Sequence, residues 1–136
     1  MIDKNNNFHP LGKIFGELAK AYANHFIEQL KDFPLKRYYY PLVVIESYQG
    51  DINQTLLAEE LFLDKASIVR MLDYLEAEEC IRRVQNPQDR RAHLLELTPK
   101  AIAMIPDIKK ALQKSNETCI KEAEALGITN IDVEVV

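Results

Sequence analysis

Apolar side chains recur at Leu11, Ile14, Phe15, Leu18, Tyr22, Phe26 and Leu30, in steps of three and four that put them on one face of a helix. Ala19, Ala23 and Ile27 widen that face, and a stripe so broad needs a partner to cover it. Gly12 and Gly16, four apart, read as a close-packing pair. Residues 1–10 form a polar lead ending at Pro10, and Asp32, Phe33 and Pro34 break the helix. A second helix is predicted over 36–48. Pro41 fits only in or near its first turn, and Gly50 and Asp51 close it.

Two short capped helices follow. Asn53 has the side chain of an N-cap for 54–62, where Leu56, Leu57, Ala58 and Leu61 supply the apolar face. Asp64 is a second N-cap, opening a helix over 65–78 whose buried stripe is assigned to Ala66, Val69, Leu72 and Leu75. Such a pair, separated by a few residues, is the pattern of a helix-turn-helix. The period then changes. Residues 81–85 and 93–97 read as strands, and Asn86, Pro87, Gln88 and Asp89 as the turn between them. Thr98 and Pro99 have the form of an N-cap and first-turn proline for a long helix. Its stripe is Ile102, Ile105, Ile108, Leu112, Cys119, Ala123 and Leu126; Pro106 is expected to kink it and Gly127 to end it. Thr129 and Asp132 resemble a capping box, so one more helix is expected to start near the chain's end.

This order predicts a mainly α fold, a winged helix-turn-helix with a small β-hairpin wing and flanking helices. An α-helix fits the DNA major groove, and a cationic hairpin beside it reaches phosphates or the minor groove. On the second helix of the pair Lys65, Ser67, Ile68, Arg70 and Met71 are the candidate groove residues, and on the wing Gln88, Arg90 and Arg91.

Composition changes this picture little. The 136 residues suit one domain, and 47% apolar with 28% charged side chains is a globular balance. Four Gly and six Pro favour helices over a many-stranded sandwich. Two Cys exclude a disulfide-stapled mini-domain. No apolar run reaches membrane-span length, and residues 1–7 lack an apolar segment of signal-peptide type, so a cytoplasmic protein with reduced thiols is expected. Charge needs more care, because a net −4 argues against nucleic acid when taken whole. The acids are segregated, with Glu117, Glu122, Glu124, Asp132 and Glu134 facing only Lys121 across 115–136. Over 82–93, by contrast, Arg82, Arg83, Arg90 and Arg91 face only Asp89. Local field decides where a polyanion docks.

The run Leu57, Ala58, Glu59, Glu60, Leu61, then 64–70, then Leu75 and Glu76, resembles the MarR family of bacterial transcriptional regulators. Arg83 and the stretch 86–92 strengthen the likeness, and Asp89, Arg91, Leu95, Leu97 and Thr98 match the family's wing pattern. It is strongest over 52–101. The resemblance implies a homodimer on a pseudo-palindromic duplex, usually a repressor relieved by a small molecule or by oxidation. It implies an N-terminal dimerisation helix in 1–33, the winged helix-turn-helix in 34–100 and C-terminal dimerisation helices in 101–136, the last apparently truncated. Asp89 would brace the wing, Arg90 or Arg91 would enter the minor groove, and 65–71 would face the major groove. Glu79 stands where the family has a glycine closing the recognition helix, so either a non-glycine residue carries a left-handed backbone there or the helix ends differently. Ala101 replaces another common glycine.

Other chemistry is sparse. Cys80 is a candidate redox sensor, but it and Cys119 sit at apolar positions and read as small buried hydrophobes. His9, His25 and His93 have no metal-ligand spacing, so no metal or cofactor is expected. No phosphate loop or nucleophile elbow suggests an enzyme. Tyr22, Phe26, Phe33, Tyr38, Tyr39 and Tyr40 cluster near the first helix junction and read either as packing or as a cleft for a planar effector, an aromatic carboxylate or phenol. Asp73, Glu76, Glu78 and Glu79 motivate an alternative, a winged helix that binds protein instead of DNA.

Overall fold

A computed structural model describes residues 11–128. The elements are α1 (Leu11–Gln29), α2 (Tyr39–Ser47), α3 (Gln54–Glu60), α4 (Lys65–Ala77), β1 (Ile81–Asn86), β2 (Asp89–Leu97) and α5 (Pro99–Ala125). The polar lead and the helix expected from Thr129 lie outside the described residues. The described chain forms two compact units, residues 11–32 with 110–128, and Phe33–Lys109. The boundary between them falls inside α5, which continues through Pro106.

In the first unit α1 meets the later turns of α5 through a small apolar contact and a polar cluster. Ile14, Leu30, Ala111, Leu112 and Ala123 are buried. Ser115 is fully buried, and its hydroxyl lies 3.0 Å from Gln29 Nε2 and 3.1 Å from His25 Nδ1. Gln29 Nε2 also donates to the Ala111 carbonyl at 3.1 Å and lies 3.0 Å from His25 Nδ1, while Thr118 Oγ1 approaches His25 Nε2 at 3.4 Å. The stripe on α1 does not close among the described residues. Leu11, Phe15 and Ile27 are each more than half exposed.

The second unit is built around α2, which is apolar on every side. Tyr39, Pro41, Leu42, Val43, Val44 and Ile45 are all buried, as expected for a helix surrounded by other elements. Pro41 lies in its first turn, where a missing N–H costs nothing. Leu57 of α3, Ile68, Met71, Leu72 and Leu75 of α4, Ile81 and Leu95 of the hairpin, and Ala101, Met104, Ile105 and Ile108 of α5 complete the core. Ile102 and Leu126, assigned to the buried stripe of α5, are instead exposed. The hairpin is antiparallel, with Ile81 opposite Leu97, Arg83 opposite Leu95 and Gln85 opposite His93. A bridge from Asn53 to Leu94 and a 2.8 Å bond from the Leu95 amide to the Ile52 carbonyl tie β2 to the segment before α3.

The caps follow the side chains. Asn53 Oδ1 accepts from the Leu56 amide at 2.8 Å, Asp64 Oδ1 from the Ser67 amide at 2.7 Å, and Thr98 Oγ1 from the Ala101 amide at 3.3 Å. At the other end, α4 closes through paired bonds, Glu79 N to Glu76 O at 3.0 Å and Cys80 N to Leu75 O at 2.9 Å. This Schellman geometry needs a left-handed residue, and Glu79 supplies it at φ 59°. Phe62 (φ 54°) ends α3 in the same way. Replacing Glu79 by glycine removes the Cβ clash of that conformation while loosening the unfolded chain. Glu79→Gly should therefore raise unfolding stability by about 1 kcal/mol in urea titrations. A loss of stability would show that the Glu79 side chain contributes more than its backbone costs.

Candidate nucleic-acid interface

The Asp64 cap fixes where α4 begins, and the core beneath fixes which face looks out. Lys65, Ala66, Val69 and Arg70 are exposed and Ser67 is half-buried. Arg70 Nη2 donates to Ser67 Oγ at 3.3 Å, so these two predicted residues sit together on the surface. Ile68 and Met71 were expected to face the groove too, but each is 1% exposed and belongs to the core. The expected stripe was one ridge out of place. Ala66, Ile68, Val69, Met71, Leu72 and Leu75 together cover more than one face; α3 and β1 pack against α4, and Ile68 and Met71 are the pair that is buried. Ala66 and Val69 are the outward pair that the sequence reading missed. Small apolar groups there suit contact with thymine methyls.

At the wing tip, Asn86 Oδ1 accepts from the Gln88 amide at 3.0 Å and Asp89 Oδ1 from the Arg91 amide at 3.0 Å. These side-chain-to-backbone bonds hold the turn without a glycine. Gln88, Arg90 and Arg91 are exposed, and neither arginine has an ion-pair partner among the described residues. Arg83 behaves differently. Its guanidinium reaches Asp73 at 2.9 Å and Glu76 at 3.7 Å, joining β1 to α4. The acids that suggested a protein-binding face are thus partly engaged from within. Lys100 Nζ also donates to the Glu78 carbonyl at 2.6 Å, placing a cation at the helix C-terminus. A concavity of about 290 Å³ lined by Thr55, Arg83, Arg91 and His93 lies between the start of α3 and β2. Its cations and hydroxyl suit a phosphate oxygen.

The aromatic residues are divided between the two units. Tyr22 and Phe26 stack with centroids 6.3 Å apart in the first unit. In the second, Phe33 meets Tyr39 edge-on at 6.2 Å and Tyr38 meets Tyr74 at 5.5 Å, while Tyr40 is exposed. Tyr39 is a core residue whose hydroxyl bonds both the amide and the carbonyl of Leu35 at 2.6 Å; burial raises its phenol pKa. An apolar cavity of about 380 Å³, absent from the sequence reading, lies behind the hairpin between Ile45, Gln49, Val84, Leu94 and Ile102. Its residues come from α2 and the turn after it, both strands and α5, so no local pattern announces it. Cys80 is fully buried and burial pushes its thiol pKa up, the opposite of a reactive thiolate; Cys119 is half-buried. His25 is engaged with Ser115, His93 is exposed on β2, and His9 lies outside the described residues. No group of three metal-ligating side chains occurs among the described residues.

A capped helix with an outward cationic face, beside a braced hairpin, defines a winged helix-turn-helix protein. The model of the MarR family matches residues 42–93, from α2 into β2. The chain is 29% identical over 121 residues to the HTH-type transcriptional regulator BilQ of Clostridioides difficile (strain CD3), covering 88% of this chain and 80% of that one. The structure is similar to that of the transcriptional repressor CouR bound to a 23-mer DNA duplex, at 28% identity and a TM-score of 0.72, covering 87% of this chain and 82% of that one. It also shares the fold of apo wild-type MarR from E. coli, at 21% identity and a TM-score of 0.70, over 89% and 92% of the two chains. These likenesses are to transcriptional regulators. Among the described residues no helix is long and apolar enough to cross a membrane.

Two outcomes are expected. The Ser67 amide and hydroxyl hold the Asp64 carboxyl below its ordinary pKa. A lowered carboxylate stabilises the fold fully above the unfolded value of 3.8, and loses that contribution as pH falls through the folded one. The stability gap between wild type and Asp64→Asn should be constant near neutrality and close as pH falls below 3.8 in acid titrations. A gap that persists in acid would remove the charge argument. Under native conditions a thiol reagent should label Cys119 ahead of Cys80, read by peptide mass mapping. Equal rates for Cys80 in native and unfolded protein would contradict its burial.

Proposed function

We propose that this protein is a homodimer that represses transcription by binding a pseudo-palindromic DNA operator and is released by a small planar molecule. The observation that carries the reading is the wing. Arg90 and Arg91 project from a turn braced by Asp89, and neither guanidinium forms an ion pair among the described residues. Opposed to DNA, one of them would enter the minor groove, whose negative potential attracts guanidinium. Lys65, Ser67 and Arg70, with Ala66 and Val69, would face base edges in the major groove. CouR, a repressor seen on duplex DNA, supports the mode of binding.

Dimerisation is supported by the uncovered apolar positions Leu11, Phe15 and Ile27 of α1. A soluble chain rarely leaves such a row unpaired. Two-fold symmetry would then put half-sites about 10 bp apart. Effector release is supported by the aromatic pairs of the two units and by the cavity behind the hairpin, where an apolar molecule would press on the root of β2.

The test is selection from a random duplex pool with the wild-type protein and Arg91→Ala. A palindrome should be recovered, and the variant should bind it about tenfold or more weakly. No enrichment at low salt by folded protein would favour a protein-binding winged helix. Candidate aromatic carboxylates and phenols that leave operator binding unchanged would remove the effector part of the proposal.

A further inference from the structure

We infer that Arg37, in the loop before α2, is a DNA-phosphate contact on the flank of α4 opposite the wing. The inference rests on the DNA-binding reading above and adds to it a second place where the phosphodiester backbone is gripped. Nothing in the sequence pattern singles Arg37 out, because its partner Tyr74 is distant along the chain.

The loop is built tightly for a surface segment. The Lys36 amide donates to Tyr74 Oη at 3.1 Å. The neighbouring Leu35 amide and carbonyl both bond Tyr39 Oη. Two tyrosine hydroxyls thus clamp the backbone from two helices. Tyr38 holds a left-handed backbone at φ 68° and offers no side-chain cap to α2. A bulky residue keeps such a conformation only where its surroundings over-determine it. Here the ring of Tyr38 meets that of Tyr74 edge-on, with centroids 5.5 Å apart. The Arg37 guanidinium carbon lies 5.1 Å from the Tyr74 centroid and 5.6 Å from that of Tyr38.

Contact with aromatic rings occupies the face of a guanidinium and leaves its in-plane N–H donors free for a planar or tetrahedral anion. Arg37 is exposed and has no ion-pair partner among the described residues. Its rotamer freedom is already restricted by the rings, so less is lost when an anion binds.

Position decides which anion. Tyr74 is four residues after Arg70 and shares its ridge on α4. Asp73 and Glu76 lie on the other flank, where Arg83 of the wing engages them. A helix seated in the major groove has one phosphate strand along each side. The wing attends one side, and Arg37 is the preorganised cation on the other.

The experiment is a salt titration of DNA affinity by fluorescence anisotropy, on the selected operator and on an unrelated duplex, with wild type, Arg37→Gln, Arg37→Lys and Arg91→Ala. Thermal melts establish that each variant is folded. Arg37→Gln should weaken binding about fivefold on both duplexes and lower the log–log salt slope by about 0.9 for each Arg37 at a phosphate. Arg37→Lys should keep the slope, since the charge remains. If Arg37→Gln leaves affinity and slope unchanged while Arg91→Ala loses affinity, Arg37 is packing only and the inference is overturned. A loss confined to the operator would overturn the phosphate assignment in favour of base contact. Wild-type protein that binds neither duplex would overturn the DNA reading itself, and shows this before any substitution is made.

Discussion

The position of the wing relative to the recognition helix depends on what happens at Cys80. Its side chain is fully buried, its amide closes α4 onto the Leu75 carbonyl, and its carbonyl accepts from the Thr98 amide. One residue therefore ends a helix, begins a strand and receives the end of the returning strand. Thr98 adds a 2.6 Å bond from its hydroxyl to the Glu79 carbonyl while capping α5. The left-handed backbone of Glu79 is the cost of this junction. It is tolerated because the bonds on either side have no alternative partner in a buried site. With helix and hairpin locked at their roots, Arg83 needs only to hold the outer strand against Asp73 and Glu76 to set the remaining angle.

That arrangement accounts for how an acidic chain presents a cationic face. The net charge of −4 is an average over separate regions. On α4 two of the acids are partnered by Arg83, while Lys65, Arg70, Arg90 and Arg91 form no close ion pair among the described residues. At physiological ionic strength the screening length is about 8 Å, so charges several turns away contribute little to the field at the helix.

Much of this was legible in the sequence. Asn53, Asp64 and Thr98 have the side chains their caps require, and each makes the expected bond. The family pattern left two outcomes open at Glu79, a left-handed residue or a different helix end, and the backbone takes the first. The outward face of α4 was not readable, because apolar residues extend around more than half of that short helix. Periodicity alone could not choose between Val69 and Met71; the neighbours that pack against it could. Arg37 was missed for a related reason. An arginine set over aromatic rings is defined by neighbours that only tertiary structure brings together. The aromatic residues that nearness in sequence grouped fall in two units, and their pairings within each were not legible from spacing.

The polar cluster between α1 and α5 carries a consequence for assembly. Gln29 must turn its NH₂ toward the Ala111 carbonyl, which can only accept, and this fixes the orientation of the amide. The same group then meets His25 and the buried Ser115 hydroxyl, so each depends on the others' positions. Sliding one helix past the other by a turn would strand the amide and the hydroxyl in an apolar contact with nothing to bond. A wholly apolar pair would tolerate such slippage. These side chains act as a vernier on the two helices, and any surface α1 offers to a second chain inherits a single, defined stagger.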